Sequence, residues 1–363
     1  MISISRWTRH LRYSIVSRCL LLSAVPYLPA LSHVLAPRLG QCMKVSVQAK
    51  AYSIVDLGTL GGPTSTAYGL NVLGQVVGWS ETRSGARRAF LYMGHMMRAL
   101  ALPSDYTGGP AFDINRYGDI VGNGNNYAFI ERRGTVRSLG TLGGGSSTAQ
   151  SLNDRGQVVG ESYTRDGNIH PFLYIGGILR DLGTLPGYTD SLANGINAGG
   201  DIVGVAMIRQ ARQTRAFLYS KGILHDLGTL AVGLPGARSG AIGINVAGQV
   251  VGYSDMPSGN EHAFLYQNRV MRDLGTLPGY PTSIATAINN TQEIVGTVER
   301  GPVGPSRAFI FIGGAMRDLN SLLPARSGWI LESSARISDA GQIIGQGMIH
   351  GQEHAFLMTL QRL

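Results

Sequence analysis

Cysteine is nearly absent from this chain. Its 363 residues hold two, Cys19 and Cys42, and both precede the regular part of the sequence. From residue 43 onward there is no disulfide and no thiolate nucleophile or thiolate metal site, so what folds there holds itself together by packing. Charged residues are also few, at 15%, and no stretch keeps an apolar period of 3.6 residues, which excludes an architecture of amphipathic helices. Neither cysteine follows the small-residue context of a lipid-modified site, since Arg18 and Gln41 precede them. Signatures of common catalysts are missing too: there is no G-x-S-x-G elbow, no H-E-x-x-H zinc helix, no phosphate loop and no acidic calcium loop.

A further scarcity is local. Residues 1–50 contain no Asp or Glu but seven of the 31 Lys and Arg, leaving 24 basic residues against 22 acidic ones in the remainder. The formal net charge of +9 therefore belongs mostly to the first 50 residues. Nucleic-acid binding needs a clustered basic face that releases counterions, and the rest of the chain shows none, so no nucleic-acid partner is expected. Arg6 to Arg18 followed by the apolar segment 19–36 reads as an export leader. Two cleavage sites stay open, after Val34-Leu35-Ala36 or after Ala49-Lys50-Ala51. An uncleaved anchor and a true start at Met43 remain alternatives. The segment is broken by Pro26 and Pro29, so no membrane span is expected in the mature part. The chain thus divides into a leader with linker, 1–51, and a repeat domain, 52–363, placed outside the cytoplasm: secreted, periplasmic or on the cell surface.

What is abundant is glycine, 51 residues at regular positions. The pattern Asn-x-x-Gly-x-(Val/Ile)-(Val/Ile)-Gly starts at Asn71, Asn115, Asn153, Asn197, Asn245 and Asn289, with a seventh copy at Ser338; the starts lie 38 to 49 residues apart. Each is followed by an element such as RAFLY (88–92), HPFLY (170–174) or HAFLY (262–266), and then by one such as DLGTL (181–185). This reads as four strands per repeat. Strand a runs to the Asn, the Val/Ile pair forms strand b, AFLY strand c and DLGTL strand d. Adjacent apolar residues in b suit a sheet covered on both faces. Asn-x-x-Gly is a tight-turn sequence whose glycine takes positive φ.

Four-stranded meanders at this period indicate an all-β, seven-bladed β-propeller. The phase of the repeats adds to this. The first strand, in 52–60, is a d strand with no blade before it, and the last repeat stops after its c strand, 354–358. The N-terminal strand is therefore expected to complete the last blade and close the ring, burying Ile54, Leu57 and Leu60.

These three linked motifs resemble the HAF-repeat family of extracellular bacterial proteins, named for the triplet at His262-Ala263-Phe264 and His354-Ala355-Phe356. The resemblance covers about residues 52–360 and implies export. It implies no established activity and no catalytic residues. Ser338, Thr291-Gln292 and Pro171 depart from the pattern.

Repeated polar residues have plain structural readings. The residue opening each AFLY element (Arg88, His170, Arg215, His262, Arg307, His354) is expected to bond a neighbouring blade instead of lining a ligand rim. The Asp of DLGTL (Asp56, Asp181, Asp226, Asp273, Asp318) is expected to bond backbone or Thr, and the turn Asn to serve its turn. His350-Gly351-Gln352-Glu353-His354 fits an inverted zinc-protease motif, but it falls between strands, where no helix brings both imidazoles to one face. No catalytic residue, metal or cofactor is assigned.

The b–c and d–a links share one face of the ring and vary in length, so binding residues are expected there. Aromatics on that face are Trp79, Tyr106, Tyr163, Tyr188, Tyr253, Tyr280 and Trp329. The candidate ligand-binding residues are Trp79, Arg83, Tyr163, Arg212, Tyr253 and Asp255: aromatics stack on sugars or peptides, and Arg and Asp bond their polar groups. The expected function is a monomeric, non-enzymatic binding or scaffold module for an extracellular glycan, peptide or protein. The alternative is a hydrolase or lyase acting on glycans or lactones, which paired carboxylates across the channel would favour.

Overall fold

The structure, a computed structural model, describes residues 52–361 apart from Thr107, Pro302 and Val303. The leader, both cysteines and the two cleavage sites lie outside the described residues. Twenty-eight strands form seven four-stranded antiparallel sheets, arranged as the blades of a closed propeller. Blade 1 is β2 (Gly61–Leu70), β3 (Val76–Thr82), β4 (Arg87–Met93) and β5 (Met96–Ala99). Blade 2 is β6 (Ala111–Ile114), β7 (Ile120–Gly124), β8 (Tyr127–Arg132) and β9 (Thr135–Ser138). Blade 3 is β10 (Gly143–Leu152), β11 (Val158–Thr164), β12 (Ile169–Ile175) and β13 (Ile178–Asp181). Blade 4 is β14 (Asp190–Ile196), β15 (Ile202–Ile208), β16 (Gln213–Ser220) and β17 (Ile223–Asp226). Blade 5 is β18 (Ser239–Ile244), β19 (Val250–Asp255), β20 (Glu261–Gln267) and β21 (Val270–Asp273). Blade 6 is β22 (Thr282–Ile288), β23 (Ile294–Glu299), β24 (Ser306–Ile312) and β25 (Ala315–Asp318). Blade 7 joins β26 (Ile330–Ile337), β27 (Ile343–Ile349) and β28 (Gln352–Leu360) to the N-terminal β1 (Tyr52–Asp56), which pairs with β28 from Tyr52↔Leu360 to Asp56↔Phe356. Among the described residues no helix is long and apolar enough to cross a membrane.

The recurring motifs have direct physical roles. In every blade the Phe of strand c lies opposite the glycine that follows the Val/Ile pair of strand b, as in Gly78↔Phe90 and Gly204↔Phe217. All seven of these Phe side chains are fully buried. A Cβ at Gly204 would stand 2.0 Å from the Leu192 carbonyl oxygen and 2.7 Å from the Phe217 ring, so only glycine fits. The two apolar residues before that glycine point to opposite faces and are buried on both, for example Val76 and Val77.

The turn asparagines do more than hold their turns. Asn71 Oδ1 accepts the N–H groups of Leu73 and Gln75, which is the expected turn role. Its Nδ2 also donates to the carbonyl of Asn115 in the next blade, and the pattern continues through Asn289 to Ser338 at 3.0–3.4 Å. Six buried amides thus form a belt from blade 1 round to blade 7.

One boundary differs from expectation. Strand d ends at the Asp of DLGTL, so Leu-Gly-Thr-Leu belongs to the d–a link. The reason is local: the carboxylate accepts the N–H two residues on, as in Gly58 to Asp56 at 2.8 Å and Gly183 to Asp181 at 2.7 Å, and this Asx turn with its positive-φ glycine ends the pleat. At the ring closure Leu57 is buried as expected, whereas Ile54 and Leu60 are half-buried. Tyr52 is buried, its phenol pushed up to about 12 by burial and by the charge of Glu293.

Candidate functional site

The polar residues that recur at one blade position are bound to one another. His170, His262 and His354 place Nδ1 within 2.8–3.0 Å of Asp181, Asp273 and Asp56, and Arg215 lies 3.7 Å from Asp226. These partners sit in the same blade, not in a neighbouring one as the sequence suggested. The register explains it: the His stands two residues before the Phe that faces the Asp, as in Phe172↔Asp181. The link to the neighbouring blade is made instead by serines that the motifs did not reveal. Ser147, Ser239, Ser283 and Ser65 accept the N–H of Ala128, Ala216, Ala263 and Ala355 at 2.8–3.0 Å, and donate to a glycine carbonyl of the preceding link. Their signal was present as a Ser two residues ahead of the strand-a Ala. His350 sits in the β27–β28 hairpin with φ +51, and His354 lies in β28 bonded to Asp56, so the zinc-like motif is split between a turn and a strand.

The six candidate residues are spread over four blades. Trp79 is half-buried in β3, donating Nε1–H to the Tyr68 hydroxyl at 3.2 Å under the Arg87 guanidinium 4.3 Å from its ring. Arg83 is exposed in the adjoining hairpin. Tyr163 is 38% exposed at the end of β11, and Arg212 is exposed in the β15–β16 hairpin with φ +51. Tyr253 covers Gly240, where a Cβ would come within 2.6 Å of its ring; burial, then the charge of Glu261, raises its phenol pKa. Asp255 is held by both Nε and Nη2 of Arg238 at 3.1 Å, while Nη2 also meets Glu261 at 3.1 Å. Burial raises the Glu261 carboxyl, with Arg238 opposing it. Trp79, Tyr253 and Asp255 are therefore engaged within the frame, whereas Arg83, Tyr163 and Arg212 are free surface. Of the remaining aromatics, Tyr106 and Trp329 pack edge-on against Phe129 and Phe356 at 6.0 Å, and Tyr188 and Tyr280 pack on the cores of blades 4 and 6.

Two concavities lie elsewhere, and none of the six lines either. One is the central channel, where a bulge in strand a of blades 2 to 7 presents one residue inward: Asp113, Ser151, Gly195, Gly243, Ala287 and Arg336 line a space of about 170 Å³ with their aliphatic neighbours. Asp113 accepts from Ser151 Oγ at 2.7 Å and from the Ile114 amide, and Arg336 lies 3.5 Å away. This lining brings one carboxylate, paired with an arginine, in place of the facing carboxylates that hydrolysis of a glycosidic bond uses. The other concavity is a cleft of about 420 Å³ on blade 2, open on the loop face and lined by Tyr106, Asn125, Tyr127 and Ser138.

No protein-family profile matches the chain, and no curated protein matches it in sequence. Solved structures do. A puromycin-hydrolysing peptidase of Mycobacterium tuberculosis superposes with a TM-score of 0.54 at 12% identity, over 78% of this chain and 49% of that one. This chain thus spans about half the length of that peptidase. The β-propeller domain of the Trilobed protease from Pyrococcus furiosus gives 0.52 at 7% identity, over 81% and 95%. That domain has an open velcro topology, whereas here β1 closes the ring. The BP39L lectin from Burkholderia pseudomallei gives 0.44 at 9% identity, over 86% and 96%. At these identities the likeness is one of fold alone.

Proposed function

We propose that this chain is an exported, non-enzymatic propeller of the HAF-repeat kind that binds an extracellular glycan or peptide through the face carrying its b–c and d–a links. One observation carries the reading. Most of the side chains that recur around the ring are engaged within the frame and do not form open rings of catalytic or ligand groups: Asn bonds the next blade, Ser the preceding link, and His170, Arg215, His262 and His354 the strand-d Asp. The loop face carries unrepeated side chains that are free, Arg83, Tyr163 and Arg212 among them, and a rigid frame presents them there. Propellers with this geometry serve both binding and catalysis, so the site decides the function and the fold does not.

The test is a glycan and peptide array probed with the full chain, beside a panel of glycan and lactone hydrolase assays. Saturable binding without turnover is the expected result. Turnover of a glycan or lactone would replace this reading with the hydrolytic one.

A further inference from the structure

Blade 2 departs from the other six at several points that meet in space. Where blades 3, 5 and 7 pair a histidine with the strand-d Asp, blade 2 has Tyr127 and Ser138. Its repeat is the short one, 38 residues from Asn115 to Asn153 against 44 to 49 elsewhere. The lost length is on the loop face: β7 and β8, at 5 and 6 residues, are the shortest b and c strands of the ring, and Asn125-Asn126 alone connect them, with φ of 46° and 73°. The rim of the blade is cut away there, and the pair that fills this place in blades 3, 4, 5 and 7 is gone.

A built wall takes over one side. A single 3-10 turn, Ser104–Tyr106, carries Tyr106 down onto Gly124, where any Cβ would meet Tyr106 at 2.7 Å. Its ring stands edge-on to the buried Phe129. Tyr106 is thereby held rigidly, while Tyr127 is 44% exposed on the other side. Neither phenol hydroxyl nor the Asn125 amide has a hydrogen-bond partner among the described residues. Ser138 Oγ accepts the Gly140 N–H at 3.2 Å, which leaves its own proton to donate.

We propose that this cleft binds one neutral pyranose ring of a glycan, an assignment that rests on the loop-face binding reading above. Its volume lies within the usual range for small-ligand sites, about 300–1,000 Å³. Tyrosine rings offer apolar faces to the C–H face of a sugar at low entropic cost. Asn125 and Ser138 supply donors and acceptors suited to vicinal hydroxyls. Among the described residues no charged side chain lines the cleft, so none of them compensates the desolvation of a uronate, sialate or sulfate.

The experiment is ligand-observed NMR on the full chain with glucose, galactose, mannose, fucose and N-acetylglucosamine, against glucuronate and sialic acid. The variants are Tyr127→Ala, the double change Tyr127→His with Ser138→Asp, and Arg272→Ala on an outer strand as control. The double change installs the His–Asp pair of blades 3, 5 and 7 and should close the cleft without lowering the melting temperature. Expected is binding of at least one neutral sugar, with little response to the acids. Tyr127→Ala and the double change should each weaken it at least tenfold, and Arg272→Ala should leave it unchanged. If array binding is seen but survives both blade 2 variants, the loop-face reading stands and the cleft assignment falls. If the cleft variants abolish binding of a peptide or of an acidic sugar instead, the ligand class is wrong. A chain that binds nothing on the array or by NMR overturns both.

Discussion

Directly after the Val/Ile-Val/Ile-Gly glycine, the b strands carry Trp79, Asn123, Glu161, Val205, Tyr253, Thr297 and Gln346. Trp79 and Asn123 find polar partners at this level, Asn123 in the next blade at Ser147 and Thr148. Glu161 has no hydrogen-bond partner among the described residues, and burial pushes its carboxyl up to about 7 from 4.5. The sign follows from linkage. The folded chain holds this proton more tightly than the unfolded one, so stability falls as pH rises from about 4.5 to about 7 and is level above that. Glu161→Gln keeps the shape and removes the charge. It should stabilise the ring by about 1–3 kcal/mol at pH 8 and change it little at pH 4, measured by urea unfolding at both values. An equal effect at both would mean that Glu161 ionises as readily in the ring as in the unfolded chain.

At the scale of the strand pair, the glycine opposite the buried Phe sets how closely strands a, b and c can stack. Gly204→Ala forces a methyl against the Leu192 carbonyl and the Phe217 ring, and neither is the end of a flexible side chain. The cost should reach at least about 3 kcal/mol, the upper end of overpacking penalties, seen as a loss of soluble protein or a large fall in denaturation midpoint. Gly145 in β10 is the contrast: a Cβ there meets nothing within 4 Å and its φ is not in the left-handed region. Gly145→Ala should stay within about 0.5 kcal/mol. Similar losses at both sites would remove the close-packing account of the motif.

For the whole ring, closure depends on β1. It brings buried Tyr52 and, just beyond the strand, buried Leu57, and it supplies Asp56 to His354. The following segment supplies Ser65 to the Ala355 amide. The amide belt cannot substitute, because Ser338 stands where an asparagine would reach Asn71. Each fully buried large side chain contributes about 1.5–3 kcal/mol, so two of them weigh heavily against a domain stability of about 5–15 kcal/mol. A chain starting at Thr64 should aggregate or melt far below the full chain, read by light scattering and thermal unfolding. Melting at an unchanged temperature would show that blade 7 closes without its fourth strand.

The number of blades, the order of strands and the partner of β1 were legible in the residues because they follow from local chemistry repeated many times. A turn needs Asn-x-x-Gly within a few residues, a doubly covered strand needs adjacent apolar side chains, and a ring out of phase at its ends has one way to close. The sequence stops short wherever a side chain has a choice of partners in space. Asn71 could satisfy its turn without touching Asn115, and His170 could as well have faced the next blade as its own Asp181; the pleat and register decided both. Trp79, Tyr253 and Asp255 looked free on a linear chain and were taken up by Tyr68, Gly240 and Arg238. The cleft on blade 2 joins Tyr106 from a d–a link, Asn125 from a hairpin, Tyr127 from a c strand and Ser138 from a d strand. Tyr127 and Ser138 stand in the sequence where other repeats carry His or Arg and Asp, which is a signal the motifs alone do not interpret. Only folding brought them beside a tyrosine about twenty to thirty residues earlier, because cross-strand neighbours are set by antiparallel register and not by distance along the chain.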